Sequence, residues 1–364
     1  MLIKNDKTRF EHIDLLKTIA IFFVVVFHGS LYSVDLFSDK TVSNRILYYF
    51  NTILSTGVPL FFFVNGYLLL NRPLDLKKHI RKTTKLIVLV VFWALILMPI
   101  YVLLAREPFS IRTIVMSILN MSIPWAMNIY WFVGALVCIY IFFPALKALF
   151  DMNKRAFMIF TVACAFLTFG VVLINQLLGI LSTVSRNLPS TINYPLFTMF
   201  NPFFGNYGYT LVYFCAGGIF FEYEDSLIAI SKGERTAASA TGILLSCFLL
   251  FVIGLYYSIR IDEEIWDVVW NGYQSVFTLI NVICIYVLSL SFQKDIPLIR
   301  EISRNTLGIY FIHELLIRST RPWIFEISFL CNLPFNLVYA ALIVILCMLL
   351  CLGLKKIPVL RNLV

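Results

Sequence analysis

The feature that most limits what this chain can become is its succession of long apolar runs. About ten segments are each long enough to cross a hydrocarbon layer of roughly 30 Å. They fall at 15–34, 46–70, 86–105, 129–149, 156–178, 206–222, 238–258, 272–292, 305–323 and 335–354. Inside a bilayer no water satisfies backbone N–H and C=O groups, so each such run has to be a helix. The expected fold is therefore all-α, a polytopic membrane helix bundle forming one transmembrane domain over 1–364. Composition excludes the alternative, because 13% of residues are charged where a soluble domain carries about 25%. The net charge of +9 then points to loops facing anionic headgroups, and not to nucleic acid.

The basic residues set the orientation. With the N-terminus placed inside, 21 of the 29 Lys and Arg fall in inner segments and 8 in outer ones. That asymmetry predicts that both termini are cytoplasmic. The stretch 108–128 contains Pro108, Pro124 and Trp125 and reads as an interfacial or re-entrant segment. Two polar outer loops stand out. One runs from Gly179 to Gly205, and the other, 259–271, carries Asp262, Glu263, Glu264 and Asp267. Loops this polar are ordinarily solvated connectors; the longer one could also cover a sugar site. None of the eight cysteines forms a Cys-x-x-Cys pair, which predicts no zinc site of that type and no disulfide framework. The basic, then apolar, N-terminus is followed by no small-residue cleavage site, so it reads as a retained first span.

Ionisable groups inside such runs are rare without a role. Lys17 and His28 lie eleven residues apart in the first run. That is close to three whole turns, so both side chains fall on nearly one helix face, roughly 16 Å apart along the axis. A helix-packing histidine is the plainer explanation for His28; a functional imidazole is the other. The second run contains Gly57-Val-Pro-Leu-Phe-Phe-Phe-Val-Asn-Gly66-Tyr67. There Pro59 can kink the helix, and Asn65 and Gly66 could wall a cavity. Next comes the densest basic cluster, Lys77, Lys78, Arg81, Lys82 and Lys85. It is either an orientation signal or a clamp for an anionic nucleotide. The fourth run opens with Trp131 and Phe132 and continues to Tyr140 and Pro144, and the ninth holds a second imidazole, His313, beside Glu314. Neighbours on a helix point about 100° apart, so that carboxylate need not touch that ring.

Taken in order, these pieces resemble the membrane acyltransferase-3 family, bacterial multi-span proteins that acylate surface carbohydrates. The first-span signature is similar to Ile13-Asp14-Leu15-Leu16-Lys17, then ten intervening residues, then His28. The second-span pattern resembles Pro59-Leu60-Phe61-Phe62 leading to Asn65-Gly66-Tyr67. Trp131, Phe132, Tyr140 and Pro144 match the fourth span, and Gly308-Ile-Tyr310-Phe-Ile-His313 looks like the late motif. The chain departs from the pattern in three places. Lys17 stands where the family usually has Arg, Asn65 replaces Ser, and the usual Arg-x-x-Arg has its nearest counterparts in Lys82-Thr-Thr-Lys85 and Lys78-His-Ile-Arg81. Some members carry a soluble esterase-like domain after the last span; this chain is expected to be the standalone form.

The resemblance implies an O-acyltransferase that takes acetyl, or another short acyl group, from cytoplasmic acetyl-CoA. The acceptor would be a hydroxyl of a surface polysaccharide or of its lipid-linked precursor. It implies His28 and Lys17 as the catalytic pair, the first as general base or acyl carrier, the second holding a CoA phosphate or the oxyanion. Arg81, Lys82 and Lys85 would bind the nucleotide. Asp14, Asn65, Tyr67, Trp131 and His313 would support the site or the substrate. No metal is implied. Expected partners are acyl-CoA, a carbohydrate and membrane lipids, with no nucleic acid. Two other classes fit the residues alone: an oligosaccharide-lipid transporter or flippase, and a membrane sensing or anchoring module.

Overall fold

The computed structural model describes residues 9–30, 42–105, 110–112, 115–116, 131–184, 207–261, 272–324, 333–358 and 361. Of the described residues 90% are helical and none lies in a strand. The helices are α1 (Glu11–Ser30), α2 (Val42–Leu54), α3 (Gly57–Leu70), α4 (Leu76–Ala105), α5 (Trp131–Met152), α6 (Lys154–Ala165), α7 (Val171–Val184), α8 (Gly208–Glu222), α9 (Glu224–Ala229), α10 (Lys232–Ile261), α11 (Val276–Ser289), α12 (Pro297–Ile324) and α13 (Leu333–Leu354). Most of the stretch 108–128, nearly all of the longer outer loop and the acidic loop residues 262–271 lie outside the described residues.

Among the described residues six helical stretches are long and apolar enough to cross a bilayer unaided. They are Glu11–Gly29, Arg45–Leu70, Trp131–Met152, Lys154–Ser182, Lys232–Tyr256 and Leu333–Leu354. The other four expected spans are also helical, but differ for physical reasons. The helices α8 and α11 have only 15 and 14 residues. Helix α4, of 30 residues, spends its first turns on basic residues. Helix α12 carries Arg300, Glu301, Arg304, Glu314 and Arg318 along its length. A helix so charged is stable at membrane depth only if protein covers its polar face, and α1 and α13 provide that cover.

The second span is not one kinked helix. It breaks at Ser55 and Thr56, whose hydroxyls donate back to the carbonyls of Thr52 and Ile53 at 2.7 and 2.6 Å. Pro59 then sits in the first turn of α3, where its missing N–H is not needed. Helix α3 is buried on nearly every side and crosses α8 very closely. A Cβ on Gly66 would stand 1.7 Å from the carbonyl oxygen of Phe214, and one on Gly217 1.9 Å from that of Phe63. Small residues that let two backbones touch are the usual means of joining helices in lipid. A π-helical segment, Phe166–Gly170, interrupts the fifth expected span between α6 and α7. One core runs through the bundle, centred on α1, α3, α8 and α12.

Candidate active site

Helices α1 and α12 lie side by side and run parallel. Two polar contacts join them in step. Near the start of both helices, the Lys17 ammonium donates to the carbonyl of Ser303 at 2.6 Å. Eleven residues later on each helix, His28 Nδ1 stands 3.2 Å from Glu314 Oε2. The shared face expected of Lys17 and His28 is thus the face turned toward α12.

The lower contact is part of a network. Asp14 accepts from the hydroxyl of Ser303 through one oxygen and from Arg9 Nε through the other, both at 2.5 Å. Thr18 donates to the carbonyl of Ile299 at 3.2 Å. Asp14 therefore supports the Lys17 position by tying α1 to α12 and does not reach the imidazoles. Lys17 also feels the positive charges of Lys82 and Arg9, and Lys82 in turn feels Arg72 and Lys78. The basic end of the bundle thus gathers cations from three stretches of chain. Of the three expected nucleotide ligands, Lys82 belongs to this group. Its ammonium lies 5.1 Å above the Tyr140 ring, within cation–π range. Arg81, Lys82 and Lys85 are all exposed on α4. Lys78 belongs to the basic cluster that the sequence singled out; Arg9 and Arg72 were not named for this role.

The upper contact is more deeply set. Glu314 and His313 are 1% and 0% exposed, and the His28 side chain 15%. The two imidazole rings meet edge to face, with centroids 5.0 Å apart and planes inclined at 68°. Glu314 accepts from Arg318 Nε at 2.6 Å through its other oxygen. His313 Nδ1 lies 3.2 Å from the carbonyl of Ile309 one turn back, an arrangement in which that nitrogen carries the proton. Sequence reasoning named His313 as a site residue, noted Glu314 beside it without giving it a role, and did not single out Arg318. The available signal was their i, i+4 spacing inside an otherwise apolar stretch.

Asn65 and Tyr67, adjacent in one motif, serve different places. Asn65 accepts from the Tyr140 hydroxyl at 2.9 Å, joining α3 to α5 beneath Lys82. The Tyr67 hydroxyl donates to Glu224, a buried carboxylate that also accepts from Tyr286 at 3.2 Å and has His12 Nε2 at 3.7 Å. Tyr67 is thus a tie between α1, α3, α9 and α11, away from the imidazole pair. Trp131 belongs to an aromatic group at the other end. It stacks on Tyr207 with centroids 5.3 Å apart and an angle of 15°, and stands 5.8 Å from Tyr273. Phe132 continues the series to Tyr310, at 5.1 Å, and Tyr310 to His313, at 5.7 Å. A groove of about 460 Å³ lined by Met158, Phe220, Tyr223 and Leu227 is almost wholly apolar and contains none of these groups.

Fold and site together define a multi-pass helical membrane protein with a buried imidazole–carboxylate centre between two parallel helices. The chain belongs to the acyltransferase-3 family, whose acyltransferase domain matches residues 10–354. No curated protein and no solved structure is similar enough to match. Acyl transfer is accordingly its general activity.

Proposed function

We propose that this protein moves a short acyl group, acetyl in the simplest case, from acyl-CoA to a hydroxyl of a carbohydrate or its lipid-linked precursor, at the inner membrane of a bacterial cell. The observation that carries this reading is the His28–Glu314 contact at 3.2 Å, with Arg318 behind the carboxylate. A carboxylate beside Nδ1 holds the proton on that nitrogen and leaves Nε2 free to accept one. In the proposed step the acceptor hydroxyl attacks the thioester carbonyl while its proton passes to His28 Nε2. The new C–O bond forms, the C–S bond breaks, and the departing CoA sulfur takes the proton back from the imidazolium. Glu314 stabilises that imidazolium while it exists.

The same geometry divides the roles of the expected pair. Eleven residues of helix put Lys17 roughly 16 Å from His28, too far to hold the oxyanion of a reaction at that imidazole. Lys17, Lys82 and the cations near them suit the phosphates of CoA instead, with the pantetheine arm spanning the distance between. The aromatic group at Trp131, Tyr207 and Tyr273 suits the apolar face of a sugar ring. A covalent acyl-His28 intermediate would use the same residues in two steps.

Purified protein supplied with labelled acetyl-CoA and a lipid-linked oligosaccharide tests the proposal. CoA release with label appearing on the oligosaccharide is the expected result, and His28→Ala should slow it by about 10²–10⁴-fold. A folded His28→Ala protein that transfers at the wild-type rate would overturn the mechanism. Movement of oligosaccharide across a vesicle membrane without CoA consumption would overturn the substrate assignment in favour of a flippase.

A further inference from the structure

Three side-chain atoms at the centre of the site converge without an aligned hydrogen bond: His28 Nδ1, His313 Nε2 and Glu314 Oε2. All lie within 4.8 Å of one another, inside protein that leaves Glu314 1% and His313 0% exposed. With the His313 proton on Nδ1 toward Ile309, Nε2 presents a lone pair to this point, and so does Glu314 Oε2. Lone pairs that meet in a buried place need a donor or a cation between them: a proton, a bridging water or a metal ion. A proton on His28 Nδ1 meets the need of Glu314 but leaves His313 Nε2 without a donor. A metal ion meets all three at once.

We propose that His28, His313 and Glu314 form a site for a divalent transition metal of the zinc class, and that filling it stops acyl transfer. Two imidazoles and one carboxylate are the donor set of three-ligand zinc sites that keep a fourth position open. Imidazole nitrogens favour zinc and its neighbours over magnesium or calcium. The outer contacts are those of a metal site as well. His313 turns its other nitrogen to a backbone carbonyl, and Glu314 gives its other oxygen to Arg318, which fixes the orientation of both ligands. In a tetrahedral site with bonds of about 2.0–2.2 Å, ligand atoms stand about 3.4 Å apart. The His28–Glu314 pair, at 3.2 Å, already meets this; a change of side-chain torsion at either imidazole closes the wider gaps.

The inhibitory half rests on the function proposed above. A metal on Nδ1 displaces the proton to Nε2, and an Nε2–H cannot accept one from the acceptor hydroxyl. The binding half is independent of it, so the experiment reads the two separately. Full-length protein in detergent, stripped with a chelator and then dialysed against zinc, is expected to hold about one ion per chain by elemental analysis. Cobalt in its place should give the visible absorption of a low-symmetry site. His313→Ala and Glu314→Gln should each lose both signals. Arg318→Gln, which keeps all three ligands, should weaken binding about 10–100-fold. Binding that is absent from the wild-type protein, or that survives unchanged in a folded His313→Ala variant, would overturn the site. CoA release that zinc suppresses and chelator restores is the expected activity result. Stoichiometric zinc with undiminished release would overturn the inhibition and leave the site.

Discussion

Lys17 places a single positive charge where it can hold one backbone oxygen and still present N–H groups to an anion. Its bond to Ser303 uses one donor of three. Losing a charge-assisted contact of this kind costs about 1.5–3 kcal/mol. Lys17→Ala should therefore raise KM for acyl-CoA roughly tenfold to hundredfold and change kcat much less, as steady-state CoA release will show. Glu314→Gln should do the reverse. The amide keeps the shape but not the charge that holds the His28 tautomer, so kcat should fall by about 10²-fold or more, with KM for the donor little altered. The placement of Lys17 and His28 on one face was legible in the sequence, because helical periodicity alone gives it. The contact of Glu314 with His28 was not. Glu314 meets His28 across 286 residues of chain, and periodicity says nothing about which helices become neighbours. Tyr67 was legible as a motif member but not as the partner of Glu224, for the same reason.

At the scale of the helices, the apolar runs foretold where helices would form but not how long they would be: α4, α10 and α12 have 30, 30 and 28 residues, well beyond the runs at 86–105, 238–258 and 305–323. They did not foretell the break at Ser55–Thr56, because a hydrophobicity count does not register hydroxyls that turn back on their own chain. Nor could composition reveal that α8 and α11 are short helices enclosed by others. The crossing of α3 and α8 is the most exacting of the contacts. Gly66 and Gly217 each meet a carbonyl oxygen of the opposite helix, so a methyl group at either has nowhere to go. Gly66→Ala should destabilise the protein by about 1–3 kcal/mol or more, read as a lowered thermal transition in detergent. Gly233→Ala, where a Cβ would meet nothing within 4 Å, provides the control and should leave that transition in place.

At the scale of the whole molecule, the described cations around Lys17 and Lys82 gather at one end and the Trp131 aromatic group lies at the other, with the imidazole pair nearer that group. Only part of the basic cluster in the sequence takes part in this arrangement. The residues 77–85 lie on α4, and one helix can turn only one side inward. Lys82, although exposed, reaches over the Tyr140 ring, whereas Arg81 and Lys85, also exposed, are not among the cations that act on Lys17 and Lys82. The aromatic end makes a prediction that separates acceptor from donor. Trp131→Ala removes a stacking surface worth about 0.5–1.5 kcal/mol. KM for the carbohydrate should rise about two- to tenfold, while KM for acyl-CoA stays put.

The paired steps between α1 and α12 turn a stretch of helix into a gauge. On the function proposed above, one rung would grip the far end of the donor and the other meet its reactive carbon, so that the protein would measure the length of the molecule it accepts. A clipped thioester that lacks the nucleotide should still be consumed at the upper rung once it is supplied in great excess, and replacing Lys17 should then make no difference to it.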